Sequence, residues 1–149
     1  MDLFAPFVKN IIAPTWAIKE KTPYLKHLKY LEKSQYFPLE EIRAEQWKKL
    51  KLLLHHAYSN VEYYKNLFIK NRIDPNQIKN WNDFYNLPLL TKDDIRENRQ
   101  QMIAINIDKK DLVSKKTSGS TGVSLELVVN EESMQWKRAV AARHDRWAG

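Results

Sequence analysis

Glycine is scarce in this chain, and two of its three glycines stand close together. Gly119 and Gly122 fall within one short stretch, and the third glycine is the last of the 149 residues. Because glycine reaches positive φ at little steric cost, this clustering marks one segment where the backbone departs from ordinary helix or strand. The sequence therefore predicts one special loop in an otherwise ordinary chain.

The composition excludes several classes of protein. Hydrophobic residues make up 43% and charged residues 29%, as in a globular domain of this length. Five Trp, seven Tyr and five Phe argue against disorder, because disordered chains are poor in aromatic side chains. The absence of cysteine excludes disulfides, thiolate metal sites and a cysteine nucleophile.

The chain is basic, with a formal net charge of +7. Its lysines and arginines are spread along the whole sequence, and the densest group, Lys48, Lys49 and Lys51, falls on the solvated side of a predicted helix. Charge alone supports non-specific attraction to nucleic acid and no more. We therefore expect no specific nucleic-acid partner.

The apolar stretch from Leu3 to Ile18 is not predicted to be a membrane span or a signal peptide. Prolines and the polar pair Lys9-Asn10 interrupt it, whereas a span needs about 20 mostly apolar residues. Asp2 precedes it and no small-residue cleavage site follows. We expect a cytoplasmic protein with no transmembrane segment, whose N-terminal residues dock on a core; contact with a membrane interface is the alternative. The residues concerned are Phe4, Phe7, Ile11, Ile12 and Trp16.

Helical spacing of apolar residues predicts three helices in the first half. A short one carries Tyr24, Leu28 and Leu31, and a long one runs from about Leu39 to Tyr58 with Glu40 and Glu41 in its first turn. A third spans Val61 to Lys70. The stripe on the long helix comprises Trp47, Leu50, Leu54, Ala57 and Tyr58. It is expected to pack on Tyr64, Leu67 and Phe68 and on the last helix of the chain.

Turn and capping signals predict the elements that follow. Asp74-Pro75 marks a turn or a helix start, and Asn82 is the predicted cap of a short helix that stops before Pro88. Thr91 and Asp94 are spaced for a reciprocal capping box, in which each side chain accepts from the other's backbone amide. That helix is expected to run to about Arg99.

Two strand candidates flank the glycines. Leu112-Val113 leads into the loop, and alternation over Leu125–Val129 predicts a strand after it. Asn130 is expected to cap a last helix, and one face of that helix is predicted to comprise Trp136, Val140, Arg143 and Trp147. Two strands are too few for an independent sheet, so they pack on helices or belong to a larger sheet. The predicted class is α/β and α-rich: N-terminal helices, then a strand–loop–strand–helix unit.

The loop Thr117-Ser118-Gly119-Ser120-Thr121-Gly122 is the stretch that carries chemistry. Every residue is glycine or bears a hydroxyl, so backbone amides can converge on an anion while the hydroxyls add donors without bulk. Lys115 and Lys116 add positive potential. The pattern is neither a Walker loop nor a dinucleotide fingerprint. The residues alone leave two interpretations open, a phosphate site and a flexible polar turn.

Other polar groups indicate structure rather than chemistry. His55 and His56 are adjacent, so on a helix they point about 100° apart and cannot share a metal ion. Asp93 and Asp94 are interpreted as the first turn of a helix rather than as a catalytic acid pair. His144 has no nucleophile near it in sequence. No metal site is predicted.

Four stretches of the chain occur in an order found in one enzyme family. They are Gln46–Lys65 (which contains Ala57-Tyr58-Ser59-Asn60-Val61-Glu62-Tyr63-Tyr64), Leu87–Arg96, Thr117–Gly122 and Arg146–Gly149. Together they resemble the N-terminal part of phenylacetate–coenzyme A ligases and their capsule-biosynthesis (CapK-like) relatives. The resemblance covers residues 42–149, as the N-terminal part of an AMP-binding domain, and leaves residues 1–41 as an N-terminal extension.

The resemblance implies an adenylate-forming enzyme. Such enzymes join a carboxylic acid to ATP with release of pyrophosphate, then pass the acyl group to a thiol, usually that of coenzyme A. It also implies that residues 117–122 cradle the ATP phosphates, with Ser118, Ser120 and Thr121 as the expected contacts, and that Mg²⁺ takes part. Ser124 and Leu125 stand where many members have proline and lysine.

The resemblance further implies a much longer protein. The adenine-binding segment, the acidic residues that meet Mg²⁺ and ribose, and the C-terminal domain with its catalytic lysine have no counterpart here. We expect a fragment, a truncated gene product or one piece of a split protein, catalytically incomplete alone, with its catalytic residues in a C-terminal portion that is its partner. The alternatives are a non-catalytic helical interaction module with a relic loop and, ranked last, a basic nucleic-acid binder.

Overall fold

The computed structural model describes residues 7–12, 14–15, 19, 23–118 and 124–148. Of the predicted phosphate loop, Thr117 and Ser118 are among the described residues, whereas Gly119, Ser120, Thr121 and Gly122 lie outside them. Phe4 and Trp16 of the N-terminal apolar stretch also lie outside.

The secondary structure is mostly helical. The helices are α1 (Tyr24–Ser34), α2 (Leu39–Asn60), α3 (Glu62–Lys70), α4 (Trp81–Tyr85), α5 (Lys92–Glu97) and α6 (Glu131–Ala148). Strands β1 (Leu112–Lys116) and β2 (Glu126–Asn130) form a two-stranded antiparallel sheet. Short turns of other helix types occur at Val8–Ile12, Pro75–Gln77 and Lys109–Asp111. The predicted order of helices, strand, loop, strand and helix is confirmed.

The chain divides into two compact units. One, the continuous unit, comprises residues 39–129, and the other, the two-segment unit, comprises residues 1–38 and 130–149. The continuous unit carries α2 to α5 and almost all of the sheet. The two-segment unit contains α1 and α6.

The core of the continuous unit is an apolar cluster between α2, α3 and the turn after them. Leu54, Phe68 and Ile78 are its buried members. Partly buried residues pack around them, namely Trp47, Leu50, Tyr58, Leu67, Ile73, Phe84 and Leu87. The predicted stripe on α2 and its packing on α3 are therefore confirmed, while the last helix, expected in this core, falls in the other unit.

Helix α3 ends in a Schellman motif with arginine where glycine is usual. Arg72 has φ of 55° and its amide donates to the Ile69 carbonyl at 3.1 Å. The Ile73 amide donates to the Phe68 carbonyl at 2.8 Å, the second bond of the motif. Because Ile73 packs on the apolar cluster, the motif returns the chain to the core at the cost of a strained arginine.

Capping boxes begin both short helices, and one of them was misplaced by the sequence prediction. Thr91 accepts from the Asp94 amide at 3.1 Å and the Asp94 carboxylate accepts from the Thr91 amide at 2.8 Å, as predicted. Helix α4 is capped by Asn80 with Asp83 in the same way, so the prediction of Asn82 as the cap is wrong. Asn80 is the cap because Asp83, three residues later, supplies the carboxylate of a capping box, whereas Asn82 is followed at that spacing by Tyr85.

The two-segment unit packs α1 against α6. Leu28 of α1 is buried, and on α6 the buried residues are Gln135, 1% exposed, and Ala139. On the predicted face of α6, Trp136, Val140 and Arg143 are half-buried, whereas Trp147 is 61% exposed.

Contacts between α1 and α6 advance in the same direction along both helices. Near the start of each helix, His27 stacks on Trp136 with ring centroids 3.9 Å apart. Near the end, Arg146 pairs with Glu32, and Trp147 Nε1 donates to Gln35 Oε1 at 2.9 Å. The two helices therefore run parallel.

The N-terminal apolar side chains do not dock as expected where the structure describes them. Phe7, Ile11 and Ile12 are exposed, so the prediction of docking on a core is wrong for these three. Among the described helices, none combines the length and the apolar character needed to cross a membrane.

Burial along strand β2 does not follow the predicted alternation. Leu127, expected on an inward face, is 42% exposed, whereas Val128 is half-buried. Glu126, Val128 and Val129 are all half-buried, so neither face of β2 is distinctly the buried one. The alternative that β1 and β2 belong to a larger sheet remains a prediction.

Candidate functional site

The base of the predicted phosphate loop is closed by a pair of residues that we call the loop neck, Thr117 and Leu125. The Thr117 amide donates to the Leu125 carbonyl at 2.9 Å. The Leu125 amide donates to the Thr117 hydroxyl oxygen, also at 2.9 Å. The Thr117 hydroxyl is thus engaged in closing the loop, which makes this residue a structural member of the predicted cradle.

An ionised carboxylate lies directly beside the loop neck. Glu126 Oε1 accepts from the Ser114 hydroxyl at 2.6 Å and pairs with Arg99 Nη2 at 2.9 Å. The hydrogen bond from Ser114 lowers the pKa of Glu126 below its ordinary value, and the charges of Arg99 and Lys116 lower it further. Glu126 Oε1 on β2 is therefore bonded both to β1, through Ser114, and to the segment after α5, through Arg99.

The entrance to the loop is electropositive and open to solvent. Lys115, Lys116, Thr117 and Ser118 are all exposed. Arg99 adds a cation whose charge is matched by Glu126, so the two lysines supply the uncompensated positive charge at this end of the sheet. Such a field attracts anions over a range of about 8 Å at physiological salt.

The segment that follows α5 is hydrogen bonded to the junction between α2 and α3. The Ile105 amide donates to the Asn60 carbonyl at 2.8 Å, and the Tyr63 amide donates to the Gln101 carbonyl at 3.1 Å. Burial raises the pKa of Tyr63, and the nearby Asp94 charge raises it further. The segment that follows α5 is thus fixed to the helical core before it reaches the sheet.

The remaining polar residues make local contacts. Asp93 pairs with Arg96 at 2.6 Å, and Asp94 completes the capping box. His56 Nδ1 lies 3.3 Å from Asn60 Nδ2 at the end of α2. Within the part of the chain that the structure describes, no three His, Asp or Glu side chains are grouped to hold a metal ion.

Sequence reasoning missed the residues around the loop neck. Ser114 and Glu126 carry a weak signal, since both lie on strands that flank the glycines. Arg99 carries none, because it was assigned only as the end of a helix and the fold alone brings it to β2. The fourth marker stretch, at Arg146, belongs to the two-segment unit.

The chain is similar to two curated enzymes. It is 31% identical over 130 residues to a phenylacetate-coenzyme A ligase of Aromatoleum evansii, which covers 87% of this chain and 29% of that enzyme. It is 35% identical over 60 residues to a phenylacetate-coenzyme A ligase of Escherichia coli K12, covering 40% of this chain and 14% of that enzyme. No protein-family model matches the chain.

The first of these matches necessarily includes the candidate site. A 130-residue stretch of a 149-residue chain contains residues 20–130 wherever it begins, and so spans the loop, its neck and Arg99. The chain spans less than a third of the length of either relative. Both relatives are named phenylacetate-coenzyme A ligases, which supports the resemblance to those ligases. Neither is named as a capsule-biosynthesis protein.

Proposed function

We propose that this chain contributes the ATP phosphate-binding loop of an AMP-forming carboxylic acid–coenzyme A ligase of the phenylacetate–coenzyme A ligase type. The observation that carries the proposal is the match to the A. evansii ligase, because it spans the loop and every residue that closes its neck. Membership of the adenylate-forming family, the capsule-biosynthesis branch and a cytoplasmic location are parts of the same proposal.

The chemistry of adenylation suits a loop of this composition. When a carboxylate attacks the α-phosphate of ATP, the bond to the leaving pyrophosphate breaks and negative charge grows on its oxygens. Preorganised donors stabilise that charge best when they are aimed at it before the reaction. Backbone amides at Gly119 and Gly122 and the hydroxyls of Ser118, Ser120 and Thr121 are the proposed donors, with Lys115 and Lys116 attracting the anion.

The described residues include no proposed site for Mg²⁺, the carboxylic acid or coenzyme A. The donor set needed for Mg²⁺ is a group of carboxylate and other oxygens, and the described part of the chain has no such acidic cluster. The carboxylic acid substrate, coenzyme A and the catalytic residues are proposed to meet a further portion of the complete enzyme.

A direct test uses the 149-residue chain and sodium pyrophosphate. We expect pyrophosphate to shift the NMR signals of the Thr117 and Ser118 amides, with weak affinity because adenine and ribose are unheld. The double substitution Ser120→Ala with Thr121→Ala should weaken these shifts, whereas Ser124→Ala, outside the proposed cradle, should leave them unchanged. Signals that do not respond to pyrophosphate in the unaltered chain would overturn the proposal.

A second test addresses turnover. In a protein that joins this chain to adenine-binding and thiol-binding portions, we expect ATP–pyrophosphate exchange that depends on an added carboxylic acid. The same double substitution should lower kcat more than it raises KM for the acid, because the donors face charge that grows in the transition state. Absence of exchange across aryl and aliphatic acids would contradict the enzyme assignment.

A non-catalytic interaction module is the competing function. The observation that favours it is a pair of adjacent, exposed leucines on α2, Leu52 and Leu53, in a chain that is mostly helical. This alternative predicts no pyrophosphate-dependent shifts at the loop, so the first test separates it from the ligase proposal.

A further inference from the structure

We propose that Arg99 and Glu126 are positioning residues for the phosphate loop, holding its neck in the geometry that receives an anion. This inference rests on the proposed function and adds two residues that no sequence motif marks. Neither residue touches the anion in this proposal. They act through the neck pair Thr117 and Leu125.

The contacts place the ion pair one residue from the neck. Glu126 follows Leu125 directly, so the Cα atoms of the two residues are about 3.8 Å apart. Glu126 Oε1 accepts from Ser114 on the opposite strand at 2.6 Å and from Arg99 at 2.9 Å. The oxygen thus braces β1 and β2 against each other immediately below the loop.

Arg99 is itself held by the helical core. It follows α5, whose capping box fixes the start of that helix. Asn98, next to Arg99, donates through Nδ2 to the Asp94 carbonyl at 3.0 Å, and Gln101 accepts from the Tyr63 amide at the junction of α2 and α3. The guanidinium therefore connects a fixed scaffold to β2, rather than one flexible strand to another.

The charge of the pair matters as much as its geometry. Glu126 is a full negative charge beside a site proposed for a phosphate anion, and Arg99 compensates it. Removing Arg99 loosens the neck and also exposes the anion to an uncompensated carboxylate, so both effects weaken binding. Removing the Glu126 charge loosens the neck but relieves repulsion, so its two effects oppose each other.

This asymmetry distinguishes positioning with charge compensation from a merely structural ion pair. A merely structural role predicts at least as large a loss from Glu126→Gln, because that substitution weakens the contact with Ser114 as well as the contact with Arg99. Here Arg99→Gln is expected to reduce anion affinity much more than Glu126→Gln. The double substitution restores the charge balance and keeps two amides that can hydrogen bond, so it is expected to recover most of the loss.

The experiment measures pyrophosphate affinity of the 149-residue chain from the NMR shifts of the Thr117 and Ser118 amides. We expect Arg99→Gln to raise Kd by about tenfold, and Glu126→Gln and the double variant to stay within about threefold of the unaltered chain. Arg96→Gln is the matched control, because it removes the same charge from an ion pair with Asp93 on α5, away from the neck. Its Kd should change by less than about twofold.

The outcomes separate the two proposals. Equal losses for Arg99→Gln and Arg96→Gln, or for Arg99→Gln and Glu126→Gln, overturn the positioning role while leaving the phosphate loop in place. Absence of pyrophosphate shifts in the unaltered chain overturns the proposed function, and the positioning role with it. If Arg99→Gln does not fold, Arg99→Lys decides: it keeps the charge and should hold Kd within about threefold, and a tenfold loss with the fold intact overturns the charge-compensation argument.

Discussion

The helical core and the loop neck of the continuous unit are held by different forces. In the core, Leu54 and Phe68 are nearly fully buried and contribute through the apolar surface they remove from water. Beside the neck, the side chains of Arg99 and Glu126 are 34% and 37% exposed and act through directed polar contacts. The core therefore sets how stable the unit is, and the neck sets the geometry of a site while adding little stability. Substitutions in the two regions should separate stability from anion binding.

The largest expected effect is in the core. Leu54→Ala should lower the free energy of unfolding by about 2–5 kcal/mol, since Leu54 is 7% exposed and its removal leaves a cavity. The adjacent Leu53 is 61% exposed, so Leu53→Ala is the matched control and should change stability by less than about 0.5 kcal/mol. Urea denaturation measures both. Similar values for the two variants would contradict the assignment of the buried stripe.

A smaller loss of stability is expected from substitutions at the start of helix α5. Thr91→Ala removes the hydroxyl that accepts from the Asp94 amide, and should cost about 0.5–2 kcal/mol in urea denaturation. Thr91→Ser keeps the hydroxyl and should retain most of the stability. A change near zero for Thr91→Ala would show that the capping box does not stabilise α5.

At the neck the expected effect is on titration rather than on global stability. The pKa of Glu126 is lowered from 4.5, so the stabilisation it brings is complete above pH 4.5 and is lost as the pH falls through the lower, folded-state pKa. Carboxyl NMR should show this lowered pKa directly. Ser114→Ala should move it back toward 4.5 further than Arg99→Gln does, because the hydrogen bond from Ser114 is the larger cause. The reverse order would contradict that assignment.

The smallest expected change is a gain in stability at the edge of the core. Arg72→Gly removes the strain of an arginine at φ of 55° and should stabilise the chain by at most about 1 kcal/mol, part of which is offset by the greater freedom of glycine in the unfolded chain. Arg72→Ala, which retains a Cβ, should give no such gain. Destabilisation by Arg72→Gly would mean that the arginine side chain makes a contact worth more than the strain.

Local signals in the sequence were sufficient for the helices of the continuous unit. Thr91 and Asp94 cap α5 as predicted, because a capping box depends only on residues three apart. The same rule, applied with attention to Asp83, identifies Asn80 as the cap of α4. The stripe through Leu54 was predictable because a helix presents residues three and four apart to one partner.

Contacts between distant segments were not predictable in this way. Arg99 reaches Glu126 only because the segment after α5 is fixed to the α2–α3 junction, and no local pattern encodes that path. On α6, Gln135 and Ala139 are the buried residues, and their burial depends on where α1 packs, which no local pattern encodes. For the loop itself, the composition leaves open an anion site and a polar turn, and the residues from Gly119 to Gly122 lie outside those described.

The pairing of α1 with α6 has a consequence for the order in which the chain folds during its synthesis. Helix α1 ends at Ser34 and α6 begins at Glu131, so nearly 100 residues are translated between them. At about 5–20 residues per second, α1 waits roughly 5–20 s for its partner, and a helix of 11 residues is marginal alone. The continuous unit is complete in that interval. We therefore expect nascent chains to acquire the α2–α3 core first, while Leu28 remains open to chaperones until α6 emerges.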